Sequence, residues 1–195
     1  MRNLRVLSNA SKPNDGSRSL YDSILVPEVE HALKVWTKSQ PDSKVVLIGG
    51  IAFSYYAKPR ATTDVDLLFL SEDDIPVTVS GMKRISNLGF REDKTHVEVD
   101  ACGPRVLSKV PSSILKKVFH TSRGLPDAKI RIATPEGLIA LKLYTNRLKD
   151  EADIIELLKA CSVSMKGWPI SGKERTKLLA LTRKAKQELD EEENN

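Results

Sequence analysis

The chain has 195 residues, 40% hydrophobic and 29% charged, with a formal net charge of +5. That balance argues against a disordered chain, and no apolar stretch approaches the roughly 20 residues that a transmembrane helix needs. Met1-Arg2-Asn3-Leu4-Arg5 is not followed by the apolar run of a signal peptide, so the expectation is a cytoplasmic protein with no membrane partner.

In chain order, residues 1–20 contain Ser, Asn, Gly and Pro with little periodicity and read as a mobile N-terminal arm or a peripheral segment. Residues 21–195 read as one domain, with a sheet-containing core over 21–133 and a helical part over 134–195. Pro27 suits a first helical turn, and Val29, Ala32, Leu33 and Trp36 follow at helical spacing. Val45-Val46-Leu47-Ile48 is a short buried strand, Gly49-Gly50 a sharp turn, and a helix is expected from near Ile51. A second strand is expected over Asp64–Leu70. The cap-forming and acidic run Ser71-Glu72-Asp73-Asp74 predicts a helix ending near Leu88-Gly89. Val97–Cys102 alternates apolar and polar residues as a strand does, with Glu98, Asp100 and Cys102 on one face. Pro111-Ser112-Ser113 opens a short helix, Lys129–Ala133 reads as a strand, and Thr134-Pro135 caps a helix carrying Leu138, Ile139, Leu141, Lys142 and Leu143. A break near Leu148-Lys149 restarts that helix at Asp150, as its N-cap, with Asp153 three residues on as in a capping box. Residues 171–190 are amphipathic, with Leu178, Leu179, Leu181 and Ala185 on one side. Cys102 and Cys161 lie far apart without metal-ligand spacing and are expected to be reduced thiols.

The chemistry concentrates between Gly49 and Asp66. Backbone N–H groups at a helix start after Gly49-Gly50 can hold a triphosphate, although the pair can also be a tight turn and nothing more. Strand periodicity puts Asp64 and Asp66 on one face and Val65 on the other. Two carboxylates on one strand make a platform for Mg²⁺, and unpaired buried charge would otherwise be expensive. Asp100, on the next acidic strand, is a candidate third carboxylate.

The ordered set Gly49-Gly50, Arg60-x-Thr62-x-Asp64-x-Asp66, followed by Ile132–Lys142 and Arg147-x-Lys149-Asp150-x-x-Asp153, resembles the signature of the DNA polymerase β-like nucleotidyltransferase superfamily. Over roughly residues 45–160 it is similar to the small bacterial branch that holds the AbiEii-type toxins. The resemblance implies an α/β (α+β) fold, a mixed sheet flanked by helices with a helical C-terminal half. It also implies a Mg²⁺-dependent transfer of a nucleoside monophosphate from a nucleoside triphosphate to an acceptor hydroxyl. Two Mg²⁺ ions, or Mn²⁺, would be held by Asp64, Asp66 and Asp100, which are the catalytic and metal residues. Gly49, Gly50, Arg60, Thr62, Lys142 and Asp153 would surround the nucleotide. For Arg60, phosphate contact and pinning of its loop by an ion pair both stand; for Lys142, reach into a triphosphate pocket stands beside a surface lysine. Many relatives carry Ser at the second position of the glycine pair, whereas here Gly50 has no side chain and Ser54 comes one helical turn later. Branch members modify the 3′ end of transfer RNA as toxins paired with an antitoxin, which makes both expected partners. Other superfamily members modify proteins or small molecules, and a nucleotide-binding or partner-binding module with little turnover is the reading from a different class.

Overall fold

A computed structural model describes residues 19–41, 44–125 and 127–193. Its described elements are helix α1 (Pro27–Ser39), strand β1 (Val46–Leu47), α2 (Gly49–Tyr56), β2 (Asp64–Leu68), β3 (Met82–Ser86), β4 (Gly89–Glu92), β5 (Glu98–Cys102), α3 (Ser112–Thr121), β6 (Arg123–Leu125), β7 (Ile130–Ile132), α4 (Pro135–Thr145), α5 (Leu148–Ala160) and α6 (Gly172–Glu193). The strands form one mixed sheet in the order β3-β4-β5-β2-β1-β7-β6. β2 lies parallel to β5 and antiparallel to β1, and β1 lies parallel to β7. The expected class is therefore observed: a mixed sheet with helices around it and a C-terminal part whose described elements after β7 are all helices.

Val45 to Ile48 and Leu67 to Phe69 are buried because these central strands are covered by helices, which explains why they read as continuous apolar runs. α1 buries Val29, Ala32, Leu33 and Trp36, and the Trp36 ring meets Phe69 and Phe90 edge-on at centroid distances of 6.2 and 5.6 Å. α4 is apolar on nearly every side and packs against α2, α3, α5 and α6. Thr134 caps it as expected, its hydroxyl accepting the Gly137 N–H. One contiguous core runs from Leu20 to Ala185.

Four expectations are corrected. No helix runs from Ser71 to Leu88: a single 3-10 turn at Glu72–Asp74 is followed by the hairpin β3–β4. Gly81, at φ +79°, turns the chain into β3, and Arg84 donates to the carbonyls of Pro76, Val77, Ser86 and Asn87, tying down a region with few apolar anchors. The break between α4 and α5 falls at Asn146 in the left-handed conformation, not at Leu148-Lys149. Asp150 accordingly occupies the third position of α5 rather than its cap, accepting the Arg147 N–H, and Asp153 lies beyond the capping box. On α6, Leu178, Leu181 and Ala185 are buried but Leu179 is 57% exposed, since it sits a quarter turn off their stripe. Residues 1–18 of the expected N-terminal arm lie outside the described residues; Ser19 and Leu20 are held by the Asp127 carboxylate, and Leu20 is buried.

Candidate functional site

β2 and β5 bring the carboxylates together by register. As parallel neighbours they pair Asp66 with Asp100 and Asp64 with Glu98, so Asp64, Asp66 and Asp100 share one sheet face. One carboxylate oxygen from each lies within 4.8 Å of the others. Asp66 is the innermost. Its burial, then the neighbouring charges of Asp64 and Asp100, push its pKa up to about 6, against the pull of the Gly50 N–H and of Arg147. Asp100 is also raised, by burial first and then by Asp64 and Glu98. Three acidic groups forced this close form a donor set whose repulsion a divalent cation relieves, and oxygen donors alone suit Mg²⁺ or Mn²⁺. Cys102, two residues beyond Asp100 and buried, has its thiol held neutral by burial and by the three aspartates, so it is an inert wall of the site.

The glycine pair is fitted against these carboxylates. Gly49 has φ +66°, and a Cβ there would lie 1.7 Å from Asp66 Oδ2. A Cβ on Gly50 would lie 2.6 Å from the Thr62 hydroxyl, which itself donates to Asp64 Oδ1 at 2.8 Å. The Gly50 N–H donates to Asp66. The turn into α2 thus touches the metal-ligand candidates directly, and a side chain at Gly50 would disturb the Thr62–Asp64 bond before it met any ligand. Ser54 is buried and accepts the Arg60 N–H, which fixes the loop between α2 and β2. Tyr55 and Tyr56 are core residues.

Behind the turn lies a chain of ion pairs. Lys142 on α4 is buried, with Nζ 2.5 Å from Asp153 Oδ2 and 3.4 Å from Asp150 Oδ1, both on α5. Asp153 also accepts from Arg60 Nη2 at 2.9 Å, and the Arg60 guanidinium lies over the Phe53 ring. Of the two readings of Arg60, the pinning ion pair is the one formed here. Lys142 is no surface residue, and its ammonium is engaged by two carboxylates. Asp150 is buried, which would raise its pKa, but hydrogen bonds from the Arg147 side chain and backbone and from Thr145, with the Lys142 charge, bring it down to about 2. Arg147, whose side chain is 59% exposed, donates from Nε to Asp150 Oδ2 at 3.1 Å and from Nη2 to Oδ1 at 3.2 Å. The action of its charge on Asp66 is a feature that sequence reasoning missed; the signal was its place in Arg147-x-Lys149-Asp150.

No family model and no curated protein matches the sequence. Among solved structures, the fold is similar to that of an antigenic nucleotidyltransferase-like protein from Paracoccidioides brasiliensis, with a TM-score of 0.56 and 18% identity, covering 81% of this chain and 88% of that one. At that identity the likeness establishes a nucleotidyltransferase-like fold. Among the described residues no helix is long and apolar enough to cross a membrane.

Proposed function

We propose that the chain is a nucleotidyltransferase that moves a nucleoside monophosphate from a nucleoside triphosphate onto an acceptor hydroxyl. The observation that carries this reading is the convergence of Asp64, Asp66 and Asp100 beneath the Gly49-Gly50 turn. In the reaction, the acceptor oxygen bonds to the α-phosphorus, the bond from that phosphorus to the bridging oxygen breaks, and pyrophosphate leaves with the electron pair. Asp64, Asp66 and Asp100 would hold Mg²⁺, which when bound neutralises phosphate charge and lowers the pKa of an oxygen it binds. Asp100, whose pKa is raised by burial and then by Asp64 and Glu98, is assigned to the acceptor side, where its carboxylate takes the hydroxyl proton. Thr62 fixes the Asp64 rotamer, and Gly49 leaves the space that Asp66 Oδ2 fills.

The proposed acceptor is RNA, at a transfer RNA 3′ end, with the chain acting as the toxin of a toxin-antitoxin pair. The sequence resemblance supports this, and the net charge of +5 suits a polyanionic partner. Incubation with each labelled nucleoside triphosphate, Mg²⁺ and either total RNA or lysate protein tests it. Label is expected in the RNA, and overproduction is expected to slow growth. Label on protein or on a small molecule would reject the RNA acceptor but keep the transferase. Absence of label from every pool with all four nucleotides would favour a binding module.

A further inference from the structure

The resemblance directs attention to Lys142 as the cation for the triphosphate, but Lys142 is enclosed. Its side chain is 6% exposed and lies between Asp150 and Asp153. Arg147, at the junction of α4 and α5, is exposed, and its charge acts on the Asp66 carboxyl. Resting on the nucleotidyltransferase reading, we propose that Arg147 is the residue that grips the polyphosphate tail of the nucleotide, and that Asp150 is the positioning residue that aims it.

Geometry favours this division of labour. Asp150 takes two N–H groups of the guanidinium in a fork and also accepts the Arg147 backbone N–H at 2.9 Å, so side chain and backbone of Arg147 are fixed by one carboxylate. The remaining guanidinium N–H groups have no protein partner among the described residues, and the side chain reaches solvent. A half-occupied fork on a fixed stem is suited to planar, two-point contact with a phosphate. Asp150 is itself held by the Thr145 hydroxyl at 2.8 Å and by Lys142, and Lys142 in turn binds Asp153, which holds Arg60. Lys142 therefore neutralises two buried aspartates, each of which carries an arginine. The chain of charge runs Arg147, Asp150, Lys142, Asp153, Arg60, and its more exposed end is Arg147. In nucleotidyl transfer negative charge grows on the departing pyrophosphate, and a preorganised guanidinium there acts on the transition state more than on the bound substrate.

Inorganic tripolyphosphate, added with Mg²⁺ and followed by calorimetry, probes this contact independently of the base. Arg147→Ala is expected to weaken tripolyphosphate binding about ten- to a hundredfold, with Mn²⁺ binding at the carboxylates unchanged. Arg147→Lys, which keeps charge and loses the fork, is expected to recover only part of the affinity. Asp150→Asn is expected to weaken tripolyphosphate binding in the wild-type background and to have no further effect on it in Arg147→Ala, a coupling that a merely structural role of Asp150 would not produce. Unchanged tripolyphosphate affinity in Arg147→Ala, or no measurable affinity in the wild type, overturns the proposal. If nucleotide is nonetheless transferred to an acceptor by the wild type, the functional reading survives that failure; if Mn²⁺ binding and transfer are both absent, it is the functional reading that has failed.

Discussion

Asp66→Asn is expected to abolish nucleotidyl transfer, by about a thousandfold or more, while making the metal-free protein more stable. The two effects share one cause. Asp66 is half-buried between two other carboxylates, and its pKa of about 6 stands well above the ordinary 3.8. A carboxyl group whose pKa is raised in the folded state favours folding while it is protonated, below its unfolded pKa. That contribution is lost as pH rises through 6. A rise of about two on the pH scale, at about 1.4 kcal/mol each, makes the penalty above pH 6 up to about 3 kcal/mol. Asparagine keeps the shape and the acceptor for the Gly50 N–H without the charge. Urea denaturation of metal-free wild type and Asp66→Asn at pH 5 and pH 7.5 measures this: the variant should gain most at pH 7.5, and Mg²⁺ should narrow the gap by stabilising only the wild type. Equal stability at both pH values would mean that the three carboxylates do not crowd one another. The growth slowing proposed for overproduction should also disappear in the variant at unchanged protein level.

Lys142→Met is expected to cost about 3–5 kcal/mol of stability, because it leaves Asp150 and Asp153 buried with one shared counterion fewer. For a domain of this size that lowers the melting temperature by roughly 10 °C. Met retains the apolar length of the lysine stem, so the loss reads out the charge. Combining Lys142→Met with Asp153→Asn should recover part of the loss, since the second change removes one of the stranded charges. A variant that melts like the wild type but binds nucleotide poorly would instead return Lys142 to direct contact with the triphosphate.

The site was legible in the sequence where chemistry and periodicity coincide. Asp64 and Asp66 share a face because a strand repeats every two residues, and Asp100 joins them because β5 has the same parity and a matching register. Gly49 and Gly50 could be found, but not the reason for them: the sequence pointed to room for phosphate, whereas the geometry shows room for Asp66 and Thr62. The hairpin β3–β4 was misread because it lies at the sheet edge, where β3 keeps only Met82 buried, so apolar alternation is weak and the acidic run before it imitates a helix start. Ser80-Gly81 and Asn87 were the turn signals that should have outweighed it. Which cations face the site and which are sealed behind it depended on the placement of α5 against α4, and no local pattern carries that information.

Because β2 and β5 run parallel, the chain leaves Leu68, passes through the β3–β4 hairpin and returns to lay Asp100 beside Asp66. The hairpin closes a short loop, whereas the parallel pairing closes a longer one at a greater entropic cost. Its closure brings like charges together. Refolding without divalent ions should therefore slow as Asp66 ionises, and Mg²⁺ present during refolding should speed the closing step, so that the ion which serves the chemistry also sets the pace at which the chain acquires its shape.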